Sequence, residues 1–182
     1  MKKVIPAFAV FLLVIGTSCG TSKTYFTTEI RNKVENNGVS LTKIQYFIDR
    51  DVELRREMLQ GEAKVTSGKV KIVDGKHVNI ITLKRNTPGI CTGTFPDKLL
   101  ISFEMGDKKY LTFGKSRNAG VSDPYVILAN QWENDLGEVF YDGKRYYIQP
   151  NGTSAGILIK AKLLNKSDVE KREMKGRTVS SK

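Results

Sequence analysis

The chain has 182 residues, with 30 Lys and Arg against 19 Asp and Glu, one His and two Cys, for a formal net charge of +11. Two cysteines exclude a disulfide framework and a multi-cysteine zinc site, and a lone histidine excludes a His-rich metal centre. A hydrophobic content of 40% is enough for one domain with a real core.

Lys2 and Lys3 precede an apolar run from Val4 to Ile15, broken only by Pro6. About a dozen residues at 1.5 Å each cannot cross a hydrocarbon core of ~30 Å, so this is a secretory h-region. Gly16, Thr17 and Ser18 then lead into Cys19 and Gly20. The pattern resembles the type II signal peptide of bacterial lipoproteins, with a Ser-Cys-Gly box like those of Bacteroidota. Gly16 stands where the usual box has Leu. The resemblance implies a signal peptide of 1–18, with Cys19 acylated on its sulfur and amine and the membrane held through those acyl chains. An ordinary cleaved signal and an uncleaved anchor helix are the alternatives. By the sorting rule of proteobacterial lipoproteins, Gly20 in place of Asp implies the outer membrane. The lack of an acidic cluster in Gly20-Thr21-Ser22-Lys23 favours the periplasmic face over the cell surface.

Removal of Met1–Ser18 leaves 164 residues, 28 basic and 19 acidic, at a net charge of +9. An exported chain of this charge meets no nucleic acid. Its acidic partners would be anionic lipid head groups, lipopolysaccharide, peptidoglycan carboxylates or an acidic protein face; the same charge also serves plain solubility.

Residues 19–27 read as a polar tether and 28–166 as a single β-rich domain. Thr28–Glu35 predicts a short helix capped by Thr27 or Thr28 and stopped by Asn36-Asn37-Gly38, with Ile30 and Val34 as its only apolar stripe. From Leu41 the period changes to two, and Ile44, Tyr46 and Ile48 alternate as in a strand. Asp49-Arg50-Asp51 is a turn. Val52–Met58 returns as a strand, with a helix over Val52–Leu59 as the competing assignment.

Three hairpins follow. Val70–Val73 and Lys76–Ile81 flank Asp74-Gly75, whose residue types suit the positive φ of a type I′ turn. Leu99–Met105 and Lys109–Phe113 flank Gly106-Asp107-Lys108, with Leu99, Ile101, Phe103, Leu111 and Phe113 on one face. Glu138–Tyr141 and Lys144–Ile148 flank Asp142-Gly143. Tyr125–Ala129 is apolar on both faces and reads as a central strand. Gly156–Leu164 is a last strand, and Ser167-Asp168-Val169-Glu170 has the spacing of a capping box, allowing a short terminal helix. The tail 167–182 is basic and poor in apolar residues, hence partly disordered. These elements predict a mainly β fold, an antiparallel sandwich or small β-barrel of about eight to ten strands.

Candidate chemistry is sparse. A Cys91–His77 dyad needs a base about 3 Å from the thiol. Cys91 lies in the turn-rich Asn86–Gly93, and His77 pairs opposite Ile72 on an apolar-leaning face, so a buried structural thiol and an incidental histidine fit better. Glu133 and Asp135 beside Trp132 could serve a sugar site, or form a polar loop whose Trp plugs the core. In the third hairpin, pairing across Asp142-Gly143 puts Phe140 opposite Arg145 and Val139 opposite Tyr146. Val139, Tyr141, Tyr146 and Ile148 then share one face, and Phe140, Arg145 and Tyr147 the other. Aromatic and Arg residues are enriched at interface anchors, so Phe140, Arg145, Tyr147 and Trp132 are the candidate binding residues. Lys160–Lys182 holds eight basic and three acidic residues, a solvated tail or an electrostatic tether to an anionic surface. No P-loop, G-x-G-x-x-G, G-x-S-x-G or H-E-x-x-H motif occurs.

The sequence therefore argues for binding over catalysis, with no cofactor and no metal. The first expectation is a lipid-anchored accessory or assembly subunit of an outer-membrane protein machine, with a protein partner in the envelope. A glycan- or peptidoglycan-binding module using Trp132 is the alternative, and a hydrolase ranks behind both.

Overall fold

The computed structural model describes residues 22–58, 69–73, 76–116 and 119–165. Cys19 and its signal-like segment, the Asp74-Gly75 turn and the tail with Ser167–Glu170 lie outside those residues.

The fold is mainly β. Strands β1 (Lys23–Tyr25), β2 (Gln45–Ile48), β6 (Pro88–Thr94), β7 (Lys98–Ser102), β8 (Leu111–Gly114), β9 (Val126–Leu128) and β13 (Ile157–Lys160) form a seven-stranded sheet in the order β1-β13-β2-β6-β7-β8-β9. Strands β3 (Val52–Glu57), β4 (Lys69–Val73), β5 (Lys76–Leu83), β10 (Gln131–Glu133), β11 (Leu136–Tyr141) and β12 (Lys144–Ile148) form a six-stranded sheet in the order β10-β11-β12-β3-β5-β4. All pairings are antiparallel. The two sheets pack as a sandwich, and the closed-barrel alternative is not realised.

The period-two patterns become burial. Ile44, Tyr46 and Ile48 are all within 1% of full burial, as are Leu99, Ile101, Phe113, Ile157 and Ile159. Burying each such side chain contributes about 1.5–3 kcal/mol. Val52–Glu57 is a strand, with Val52 and Leu54 inside, so the competing helix does not form.

The one α-helix among the described residues, α1 (Thr28–Asn36), starts where Thr27 Oγ1 accepts the Ile30 N–H at 3.1 Å. It stops at Asn37 with Gly38 at φ 71°. Besides Val34 it buries Arg31, whose guanidinium meets Glu35 at 3.2 Å and the Tyr125 hydroxyl at 3.4 Å. These contacts satisfy a cation that burial would otherwise penalise heavily.

Three strands were not expected: β1, β6 and β10. Lys23–Tyr25, within the stretch read as a tether, pairs with β13. The turn-rich segment around Cys91 is β6, with a bulge between Cys91 and Gly93. Glycine there answers close approach, since a Cβ on Gly89 would lie 2.7 Å from Phe103. The second hairpin is looser than expected: β7 ends at Ser102 and β8 begins at Leu111, because the Ser102 hydroxyl turns to the carbonyls of Glu104 and Lys109, each at 2.7 Å. Strand β13 stops at Lys160 and runs into a 3-10 turn, Ala161–Asn165.

Strand β9, expected to be central, stands last in the seven-stranded ladder. Its segment is nonetheless bonded on both edges. Ile127 N–H donates to Ala155 at 2.8 Å and Tyr125 N–H to Phe26 at 2.8 Å, while Ile157 N–H donates back to Tyr125 at 3.2 Å. These contacts lay the segment leading into β9 against Phe26 and the start of β13.

Tyr46 is fully buried, and its hydroxyl donates to the Leu41 carbonyl at 3.2 Å. Burial pushes its ionisation far above the ordinary phenol range. The unfolded chain ionises its tyrosines at about pH 10 while Tyr46 stays protonated in the fold, so stability is full below that pH and falls as pH rises past it. Urea unfolding between pH 8 and 11.5 checks this. Tyr46→Phe should cost about 1 kcal/mol at pH 8 and make the alkaline fall shallower; an unchanged fall would contradict it.

Candidate functional site

The third hairpin has the expected register. Phe140 pairs with Arg145, Val139 with Tyr146 and Glu138 with Tyr147. Asp142 and Gly143 sit at φ 53° and 70°, the positive values of a two-residue turn that matches strand twist. The inner face is core: Val139, Tyr141, Tyr146 and Ile148 are all buried. The outer face carries Phe140, 55% exposed, and Arg145, 60% exposed at its side chain. Arg145 Nε lies 3.4 Å from Glu138 Oε2, and Glu138 is nearly buried. Tyr147 pairs in turn with Arg55 of β3, which is ion-paired to Glu53. The outer face is thus two aromatic rings among guanidiniums whose charges are locally matched.

The structure brings Phe140, Arg145 and Tyr147 together and leaves Trp132 apart. Trp132 pairs with Gly137, which pairs with Ile148, so the indole sits on the opposite face of the sheet. The core-plug setting does not hold. The segment is a tight hairpin with Asn134 and Asp135 at φ 47° and 62°, and Trp132 is 46% exposed and not a core plug. Its ring lies over Gly137, where an added Cβ would come within 2.5 Å of Cζ3. Glu133, just before this turn, and Asp135, within it, are exposed carboxylates.

Beside Phe140 opens a cleft of about 300 Å³. Phe95, Leu100, Tyr110, Leu128 and Phe140 line it, together with Lys98. It forms where β9 leaves the seven-stranded sheet: the chain crosses through Asn130, whose N–H donates to Glu138 at 2.8 Å, and continues as β10 of the other sheet. Phe95 and Phe140 are 43% and 55% exposed, large values for aromatic rings. Sequence periodicity could not find this cleft, because its walls come from both sheets.

A second cavity of about 180 Å³ lies between the sheets, lined by Leu54, Ile81, Leu83, Phe103 and Leu111. At it the Tyr141 hydroxyl donates to Glu104 Oε1 at 2.5 Å. Burial, and then this carboxylate, push Tyr141 far above the ordinary phenol range, so it acts as a hydrogen-bond donor and not as a base.

Cys91 is buried on β6, and its thiol is pushed up by burial while contacting the Gly93 carbonyl at 3.3 Å. His77 is exposed on β5 of the other sheet, opposite an Ile72 that is itself 71% exposed. The face expected to be apolar is open to water at that end. Among the described residues no group of three His, Cys, Asp or Glu is placed to hold a metal, and no helix is long and apolar enough to cross a membrane.

No protein-family model, no curated protein and no solved structure matches this chain.

The seating of Trp132 is directly testable, since it is the only tryptophan. Gly137→Ala should push the indole off the strand and shift its emission to the red, at a cost of about 1 kcal/mol or less, the scale of an aromatic contact. Unchanged emission would contradict the packing of Trp132 on Gly137.

Proposed function

We propose that this chain is a lipid-anchored envelope protein that binds a protein partner, an accessory or assembly subunit of an outer-membrane machine, held at the periplasmic face by acyl chains on Cys19. Cys19 at the edge of the h-region supports the anchor. One observation carries the binding role: Phe140 is exposed beside a cleft walled by further aromatic and aliphatic side chains, with Arg145 directly across the strand pair. Isolated exposed apolar residues are ordinary, but an exposed aromatic at the mouth of a cleft that also carries Lys98, Thr112 and Asn130 is where a partner's side chain can be buried while its polar groups find partners. Arg145, held against Glu138, and Tyr147 would add directional polar contacts around that anchor. Tethering raises the effective concentration of such a face for partners in the same membrane, so a modest interface suffices.

Trp132 supports the glycan alternative. A half-exposed indole laid on a glycine offers a flat surface on which a sugar ring could stack. Because Trp132 and Phe140 occupy opposite faces of the sheet, the two readings separate cleanly by mutation.

Cross-linking in native membranes followed by mass spectrometry tests the partner role. Phe140→Ala with Arg145→Ala should weaken capture of one defined envelope protein by tenfold or more, about 1.4 kcal/mol. Because Arg145→Ala also leaves the nearly buried Glu138 without its ion-pair partner, Phe140→Ala alone, at an exposed side chain, is the variant whose stability changes little. Undiminished capture would refute the assignment of this face. Retention on peptidoglycan that Trp132→Ala abolishes would favour the glycan alternative instead.

A further inference from the structure

The outer face of the seven-stranded sheet has its own pattern. Ladder pairing lines up Tyr25 with Leu158, Leu158 with Phe47, and Phe47 with Pro88, one apolar row across β1, β13, β2 and β6. Ile90 follows on β6, 56% exposed, and Tyr25 is 42% exposed. Two residues along β1 from Tyr25, Lys23 pairs with Lys160 of β13. Lys23 Nζ lies 3.9 Å from the centroid of the Phe47 ring. An aromatic and aliphatic band edged by lysines is the composition of a surface that rests at a lipid head-group layer.

The position of the anchor decides which occupant this face meets. Lys23 lies four residue steps from Cys19, a reach of at most about 14 Å. Ser22 is fixed, since Ala161 N–H donates to its carbonyl at 2.8 Å. The basic tail therefore leaves the fold from the element that touches the anchor end. Lys160–Lys182, with eight basic and three acidic residues, begins there.

We propose that the outer face of β1, β13, β2 and β6 is the membrane-facing side of the domain, lying on an anionic leaflet with Tyr25, Leu158 and Phe47 at the head groups and Lys23 and Lys160 among the phosphates. This inference rests on the acylation of Cys19 in the proposed function. It adds an orientation: the domain lies on the leaflet through one sheet, and the Phe140 face belongs to the other sheet.

Lysine footprinting tests it. The acylated full chain is placed in vesicles of phosphatidylcholine with phosphatidylglycerol, and amine acetylation rates are compared with those of the Cys19→Ser chain free in buffer. Lys23 and Lys160 should react roughly fivefold more slowly on the vesicles, while Lys76 and Lys144 of the other sheet keep their rates. Equal slowing of all four, or of none, would overturn the orientation. The mass of the N-terminal peptide in the same digest reports acylation separately. A chain found unacylated overturns the anchor, whereas an acylated chain with unprotected Lys23 and Lys160 overturns only the orientation.

Discussion

Phe26 is the residue on which the geometry of this molecule depends. It is fully buried and packs edge-on against Tyr46 at 5.4 Å and Tyr125 at 5.2 Å. Edge-to-face contacts are worth about 0.5–1.5 kcal/mol each beyond burial. Its backbone is held as firmly, with the N–H on Ile157 at 2.8 Å and the carbonyl taking the Tyr125 N–H at 2.8 Å. One residue thus joins β1, β13 and the segment leading into β9. Tyr125 also meets Arg31 of α1, so the helix is secured through the same cluster.

A rigid β1 has a consequence for how the chain could work. Were residues 19–27 a loose tether, a lipid anchor would leave the domain free to tumble above the membrane. With Lys23–Tyr25 in the sheet, only a few residues separate Cys19 from the folded body. The outer faces of the two sheets then differ in what they can meet. One carries an apolar row edged by Lys23 and Lys160, and the other carries Phe140, Arg145 and Tyr147 with matched carboxylates. The shared core between them includes Ile48, Leu99, Phe113 and Ile148, all fully buried.

Much of this was legible in the residues. Alternation marked β2, β3, β7 and β13, the Asp142-Gly143 turn set the register of the third hairpin, and Thr27 with Gly38 bounded α1. What was hidden had physical reasons. Strand β6 is rich in glycine and opens with proline, a composition that reads as a turn until one sees Phe103 and Leu100 occupying the space a Cβ would need. Strand β10 was obscured because Asn134 and Asp135 take positive φ without a glycine. The separation of Trp132 from Phe140 follows from strand parity once that hairpin is known, and the loop reading concealed it. The cleft beside Phe140 depends on the meeting of two sheets, which no local pattern encodes.

Amide hydrogen exchange at Phe26 is the most direct measurement of the central claim. If the start of the chain is locked into the sandwich, the amides of Phe26, Tyr125 and Ile157 should exchange only through the same opening event as the slowest amides of β2 and β7. Exchange of Phe26 at the rate of a frayed terminus, with β2 and β7 still protected, would show that the β1 end of the chain is not part of the cooperative fold, and the account would fail.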